Sequence, residues 1–251
     1  MKKVLVGLLV VIIIAVAGVY VALNTGKKVD VTWNEADYDS AMQKSGVQIA
    51  DIREVNLITL AKNDYTATGE VPVDASFTNS EMSAIIDKAN TEGGPISDFK
   101  VAFIGDQKGE MSFKLTENFI DFIKEQNMIL LPSDKMASGF WYASVASTSS
   151  ISDTVVNFIT NVAANKPVYA SGTLARTTDK SVSIHIESLK VGQIAMSAEV
   201  VARVEEEVLQ FVNTVLASTE GFEIQELRVE DGALYYKGTL PAEIQGRKIG
   251  E

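Results

Sequence analysis

Hydrophobic and polar positions follow three regimes along this chain. Residues Val4 to Leu23 read VLVGLLVVIIIAVAGVYVAL, 20 positions without a charge. At about 1.5 Å rise per residue, a helix of that length crosses roughly 30 Å of hydrocarbon. Lys2 and Lys3 precede the run and hold the amino terminus in the cytoplasm, although Lys27 and Lys28 behind it weaken the asymmetry. A cleaved signal peptide competes with a retained anchor. Ala15-Val16-Ala17 fits a small-x-small cleavage site, but Gly18 to Leu23 continues the apolar run past it. The expectation is a single-pass signal anchor over residues 1–23 in a bacterial cytoplasmic membrane, a polar linker over 24–31, and an extracytoplasmic domain over 32–251.

Beyond the linker, periods of two and of 3.6 alternate. Thr32-Trp33-Asn34-Glu35 has the capping-box pattern and predicts a helix that Gly46 ends. Val47 to Ile49 and Val55 to Leu60 are strand-like. In Tyr65 to Phe77 the residues Val71, Val73, Ala75 and Phe77 alternate with polar ones or proline, as in a half-buried strand. Thr78-Asn79-Ser80-Glu81 is a second capping box, and Met82, Ile85, Ile86 and Ala89 mark one helix face. Phe99, Val101 and Phe103 then pair through a turn at Asp106 to Gly109 with Met111, Phe113 and Leu115. Thr116 is a candidate cap for a helix carrying Phe119, Phe122 and Ile123. A strand at Phe140 to Ala146 and a helix over 152–164 follow. Val168 to Ala175 and Ser181 to Val191 are strands around Thr177 to Lys180. Ser197 caps the longest helix past the anchor, about Ala198 to Ala217, and Asp231-Gly232 joins two closing strands.

The order strand, helix, hairpin occurs over 65–115 and again over 181–240. Ile96-Ser97-Asp98-Phe99-Lys100-Val101 and Ile224-Gln225-Glu226-Leu227-Arg228-Val229 share one pattern of apolar, acidic and basic positions. A duplication accounts for this; so does any two hairpins that follow helices. The expected fold class is α+β, a curved antiparallel sheet packed on amphipathic helices.

Composition narrows function mainly by exclusion. The chain has 22 Lys+Arg against 33 Asp+Glu, a formal charge of −11, which disfavours contact with nucleic-acid phosphates. It has no cysteine, so disulfides, thiolate metal sites and thiol catalysis are excluded, and one histidine, His185, cannot build a histidine-rich metal site. The short helix's Glu35, Asp37 and Asp39 suit a helix amino terminus better than a calcium loop, since Ala41 and Met42 stand where ligands and a glycine are needed. His185 shares its strand face with Ser183 and Glu187, each about 7 Å away and too far for a hydrogen-bonded triad. Glu205, Glu206 and Glu207 read as solvated helix surface. No phosphate-binding glycine loop occurs, and no catalytic residue, cofactor or metal is expected.

The stretch Ser188-Leu189-Lys190-Val191-Gly192-Gln193-Ile194, followed by a long helix and a terminal hairpin, resembles the YpmS-like family of membrane-anchored bacterial envelope proteins. So does Phe77-Thr78-Asn79-Ser80-Glu81-Met82, a threonine-capped helix after a strand. More remotely, a helix cradled by a long sheet is similar to the tubular lipid-binding (TULIP-like) architecture. The resemblance spans roughly residues 65–244 and implies an envelope protein; its remote architecture suggests lipid binding.

Two functions follow as expectations. One is a membrane-tethered module that holds a lipid or other hydrophobic ligand in an apolar groove lined by Val201, Val204, Val208, Phe211, Val212 and Val215, with Trp141 of the aromatic run Phe140-Trp141-Tyr142 at its rim. The other is a non-catalytic envelope scaffold acting through a protein partner. Both place the domain outside the cytoplasm. Protease added to intact spheroplasts should therefore digest it, and full protection would contradict this topology.

Overall fold

The period-two segments become strands and the 3.6-period segments become helices. A computed structural model of the chain describes residues 25–49, 55, 59, 64–90, 94–119 and 166–246. In chain order these form α1 (Glu35–Ser45), β1 (Gln48–Ile49), β2 (Tyr65–Thr68), β3 (Val71–Thr78), α2 (Asn79–Ala89), β4 (Ile96–Gly105) and β5 (Lys108–Leu115). Then come β6 (Pro167–Thr178), β7 (Ser181–Val191), β8 (Ile194–Ala195), α3 (Ala198–Ser218), β9 (Glu223–Glu230), β10 (Ala233–Leu240) and β11 (Glu243–Gly246). The expected anchor Val4 to Leu23, the elements at Phe140 to Ala146 and 152–164, and Trp141 lie outside the described residues. Among the described residues no helix is long and apolar enough to cross a membrane.

The class is α+β with mostly antiparallel pairing. Instead of one bent sheet there are three, ordered β1-β11-β2, β3-β10-β9 and β4-β5-β6-β7-β8. The strand expected from Tyr65 to Phe77 breaks at Gly69, whose φ of 69° and close approach to Ala242 turn the chain. β2 therefore pairs with β11, and β3 pairs with β10. Along β3 the expected alternation holds, with Val73 and Phe77 buried. They join Ala41, Val182, Ile224 and Tyr236 in one core cluster, while Phe99, Val101, Phe103 and Val229 form another between the larger sheets.

The shared pattern at Ile96 and Ile224 has a physical counterpart. Ile224 and Val229 are both buried although five positions apart, a step that sends residues of a regular strand to opposite faces. One extra residue, Gln225, between the pairs Ile224–Gly238 and Glu226–Lys237 restores the phase. β4 also carries one extra residue, one or two positions further along the shared pattern, between Ser97–Lys114 and Lys100–Ser112.

Both long free edges of the five-stranded sheet are closed by helix side chains. The backbone N–H groups of Phe103, Val101 and Phe99 on β4 donate to Asn79 Oδ1 (2.7 Å), Ser83 Oγ (3.0 Å) and Asp87 Oδ1 (3.2 Å) of α2. Four residues of helix rise about 6 Å and two residues of strand about 6.6 Å, so an i, i+4, i+8 row keeps step with alternate strand amides. An edge covered this way cannot template pairing with another chain.

The first helix begins two residues later than expected. Asn34 is its N-cap, accepting from the Ala36 N–H at 2.8 Å, while Asp37 accepts from the Asn34 N–H at 2.8 Å. Residues 32–33 are committed elsewhere: Ser80 Oγ donates to the Thr32 carbonyl (2.9 Å) and Trp33 Nε1 to Asp87 Oδ2 (3.1 Å). The second capping box, Thr78 with Glu81, forms as read. Glu81 is only 4% exposed and also accepts from Ser40 Oγ (2.6 Å) and Lys44 Nζ (2.7 Å) of α1.

Residues 25–30, which composition reads as a linker, lie along the outer face of the large sheet. Gln193 Nε2 donates to Thr25 Oγ1 (2.7 Å), and a Cβ on Gly26 would stand 2.7 Å from the Gly192 carbonyl oxygen and 2.9 Å from Pro167. Lys27 Nζ bonds the Glu110 carboxylate and the Tyr169 hydroxyl (2.8 Å), and the buried Val29 N–H donates to buried Ser112 Oγ (3.0 Å).

Burial pushes the Glu81 carboxyl up, but the bonds from Lys44, Ser40 and the Thr78 N–H more than reverse this and hold it below the ordinary carboxylate value. A depressed folded-state value adds stability above the ordinary value of 4.5, lost as pH falls through the lower folded one. Glu81→Gln should cost about 1–3 kcal/mol at neutral pH. In urea titrations its stability should also fall less between neutral and acid pH than the parent's.

Candidate functional site

α3 carries the widest apolar stripe of the described helices, and its ends are fixed locally. Ser197 is its N-cap, the Thr219 N–H donates to the Val215 carbonyl (3.0 Å), and the Tyr65 hydroxyl meets Thr219 Oγ1 at 2.7 Å. Between these ends α3 is hung on the free edge of β7. Glu205 Oε2 accepts the Ile186 N–H at 2.6 Å. Eight helix residues later and four strand residues earlier, Asn213 accepts the Val182 N–H (2.9 Å) and donates to its carbonyl (3.1 Å). This is the same step ratio as on α2, except that Leu209 stands where α2 has Ser83.

That attachment decides how the stripe is covered. A helix on an edge shares only part of its circumference with the sheet face. Val201 and Val204 pack against Leu115, Val168, Ala170 and Leu189, and Val212 and Leu216 against the cluster around Val182 and Ile224. Val208 lies between these contacts and is 37% exposed. Phe211 and Val215 are half-buried, and no residue of α3 is fully buried. On the sheet, Met111 lies opposite Ala170 in register, so it shares the face that receives Val201 and Val204, and it too is 37% exposed. The apolar side chains left most exposed here are Val208 on α3 and Met111 on β5.

The six expected groove residues of α3 share one face, and five of them are partly buried. Trp141 lies outside the described residues. The sequence reading omitted Leu216, which the 3.6-residue period from Val212 indicates. It also placed Met111 as an ordinary inward residue, because alternation shows the face of a side chain and not what covers it.

The polar side of the site differs from expectation at one point. His185 is exposed, but its Nδ1 lies 3.0 Å from Glu205 Oε2, the oxygen that holds the Ile186 N–H. Glu205 is thus a fastener between α3 and β7, and Glu207 is held by Arg203 at 2.6 Å, so the acidic run is not merely solvated surface. Around His185, Glu187 pairs with Lys108 (3.0 Å) and Ser183 Oγ bonds the Ala175 carbonyl (3.4 Å). Neither is aligned with the imidazole as a triad requires. Among the described residues no group of three or more His, Asp or Glu side chains is placed to hold a metal ion. What the described residues offer here is the partly covered apolar face of α3.

Glu205→Ala would strand the Ile186 N–H and should cost about 1–3 kcal/mol in denaturant unfolding. Glu206→Ala, at an exposed neighbour, should stay within about 0.5 kcal/mol of the parent.

Comparisons with family models, with curated proteins and with solved structures return no match to this chain, so the functional reading rests on its own residues.

Proposed function

We propose that this chain is a membrane-anchored extracytoplasmic protein that binds a lipid or other hydrophobic ligand in a channel between α3 and β5–β7. The observation that carries the reading is the incomplete burial of the apolar stripe of α3, none of whose residues is fully buried, together with the 37% exposure of both Val208 and Met111. Removing apolar surface from water is favourable by about 25 cal/mol per Å², so a chain-like apolar ligand laid there gains what the fold leaves uncovered. The stripe from Val201 to Val215 extends about 21 Å along the helix, which suits an elongated ligand. The charge-free run Val4 to Leu23 supports the anchor, and the lack of cysteine and of glycosylation sequons agrees with a bacterial envelope. The binding is non-catalytic.

The competing scaffold reading treats the channel as core. Tryptophan substitutions in the full-length protein separate the two. Val204→Trp enters a packed cluster and should cost about 1–3 kcal/mol. Val208→Trp should leave stability within about 0.5 kcal/mol of the parent while abolishing uptake of a fluorescent fatty acid. Equal destabilisation by both variants, with no uptake by the parent, would favour the scaffold.

A further inference from the structure

Thr25 stands two residues beyond Leu23, so it lies within about 7 Å of the end of the charge-free run. A flexible tether there would let the domain turn freely. Instead the chain is fastened from its first described residue onward. Gln193 holds Thr25, Gly26 fits against Gly192 and Pro167 with no room for a side chain, Lys27 is held by Glu110 and Tyr169, and Val29 is buried on Ser112. These contacts begin at one end of the five-stranded sheet, where Lys114 pairs with Pro167, Val168 with Val191, and Val191 with Ile194, and run inward along β5 to Ser112 and Glu110.

α3 starts at that same end. The Met196 N–H donates to the Leu189 carbonyl (2.9 Å), and Ser197 caps the helix directly after. The helix then climbs antiparallel to β7, reaching Val182 at Asn213. The Thr178–Ser181 turn, at the far end of β6, is roughly 35 Å away. Val201 and Val204, the first residues of the stripe, are thus close to the fastened end. Lys28, Lys166 and Lys190 lie at this end, where Lys27 is already paired with Glu110 and Glu199 stands in the first turn of α3.

We infer that this end, comprising residues 25–28, the β7–β8 turn and the amino terminus of α3, is apposed to the anionic lipid surface of the bilayer that holds Val4 to Leu23, so that the channel opens towards the membrane. This rests on the membrane anchor proposed above. The occupant is the bilayer itself, because the charge-free run Val4 to Leu23 ends two residues before Thr25, which is fastened here, and the exposed Lys28 beside it favours anionic headgroups.

The absence of cysteine allows single-site labelling of the full-length chain. Ala195→Cys, on exposed β8, and Lys180→Cys, at the far turn, would each carry an environment-sensitive fluorophore. Both would be reconstituted in phosphatidylcholine–phosphatidylglycerol vesicles containing lipid spin-labelled at the headgroup. The account expects quenching at position 195 at least threefold stronger than at 180. Equal quenching, or stronger quenching at 180, overturns it. An alkaline carbonate wash distinguishes the levels of failure: a chain that stays in the membrane with a flat pattern refutes the orientation alone, whereas a chain that washes off refutes the anchor and the orientation together. Gly26→Val, which displaces the fastened segment, should shrink the difference between the two positions at least twofold, and an unchanged difference would also count against the proposal.

Discussion

The attachment of α3 to the edge of β7 is the constraint from which the rest of the candidate site follows. Two side chains, Glu205 and Asn213, occupy the outward amides of Ile186 and Val182. Leaving such a group unpaired and away from water costs about 1–3 kcal/mol, so these bonds set where the helix lies. A helix held over an edge cannot lie centrally over the sheet, and its apolar stripe is consequently divided. Its first turns reach one core cluster, its last turns another, and Val208 is left between them. α2 shows the contrast. Its row of Asn79, Ser83 and Asp87 closes the β4 edge with three bonds, and Ser83 and Ala84 are completely buried. The same device therefore seals the β4 edge and leaves the apolar stripe of α3 partly exposed at the β7 edge.

Charge organises the amino-terminal part in a comparable way. Glu81 belongs to a local helix cap and also receives Lys44 and Ser40 from α1, so one buried carboxylate ties two helices together. Asp87 similarly serves the β4 edge and Trp33. Many of the surface pairs in this acidic chain, such as Arg228 with Glu226 and Glu230, are exposed and contribute little stability by comparison. Fastening of residues 25–33 adds a further constraint, because it joins the start of the described chain to β5, β6 and the β7–β8 turn.

Features whose cause is local were legible in the sequence. The caps Thr78 and Ser197, the left-handed stop at Gly46 and the Asp231-Gly232 turn each depend on a few neighbouring residues, and each forms where the pattern places it. The cap expected at Thr32 is made by Asn34 instead, a shift that the local pattern does not indicate. It depends on Ser80 and Asp87, which are distant in sequence. The four-residue spacing of Asn79, Ser83 and Asp87 is visible, but its meaning requires knowing that β4 is an edge. For the candidate site, the apolar face of α3 was readable from its period. The exposure of Met111 and Val208 was not, because it is set by the side-chain bonds that hold α3 off the sheet centre. Glu205 was misread for the same reason: an acidic run looks solvated until its strand partner is known.

The central claim is that edge attachment leaves a channel which a hydrophobic ligand fills. Its most direct test is native mass spectrometry of the full-length protein, released from detergent, with extraction and identification of whatever remains bound. The account predicts a lipid or similar apolar molecule retained at close to one per chain. A bare polypeptide mass, together with no uptake of added lipid, would contradict it.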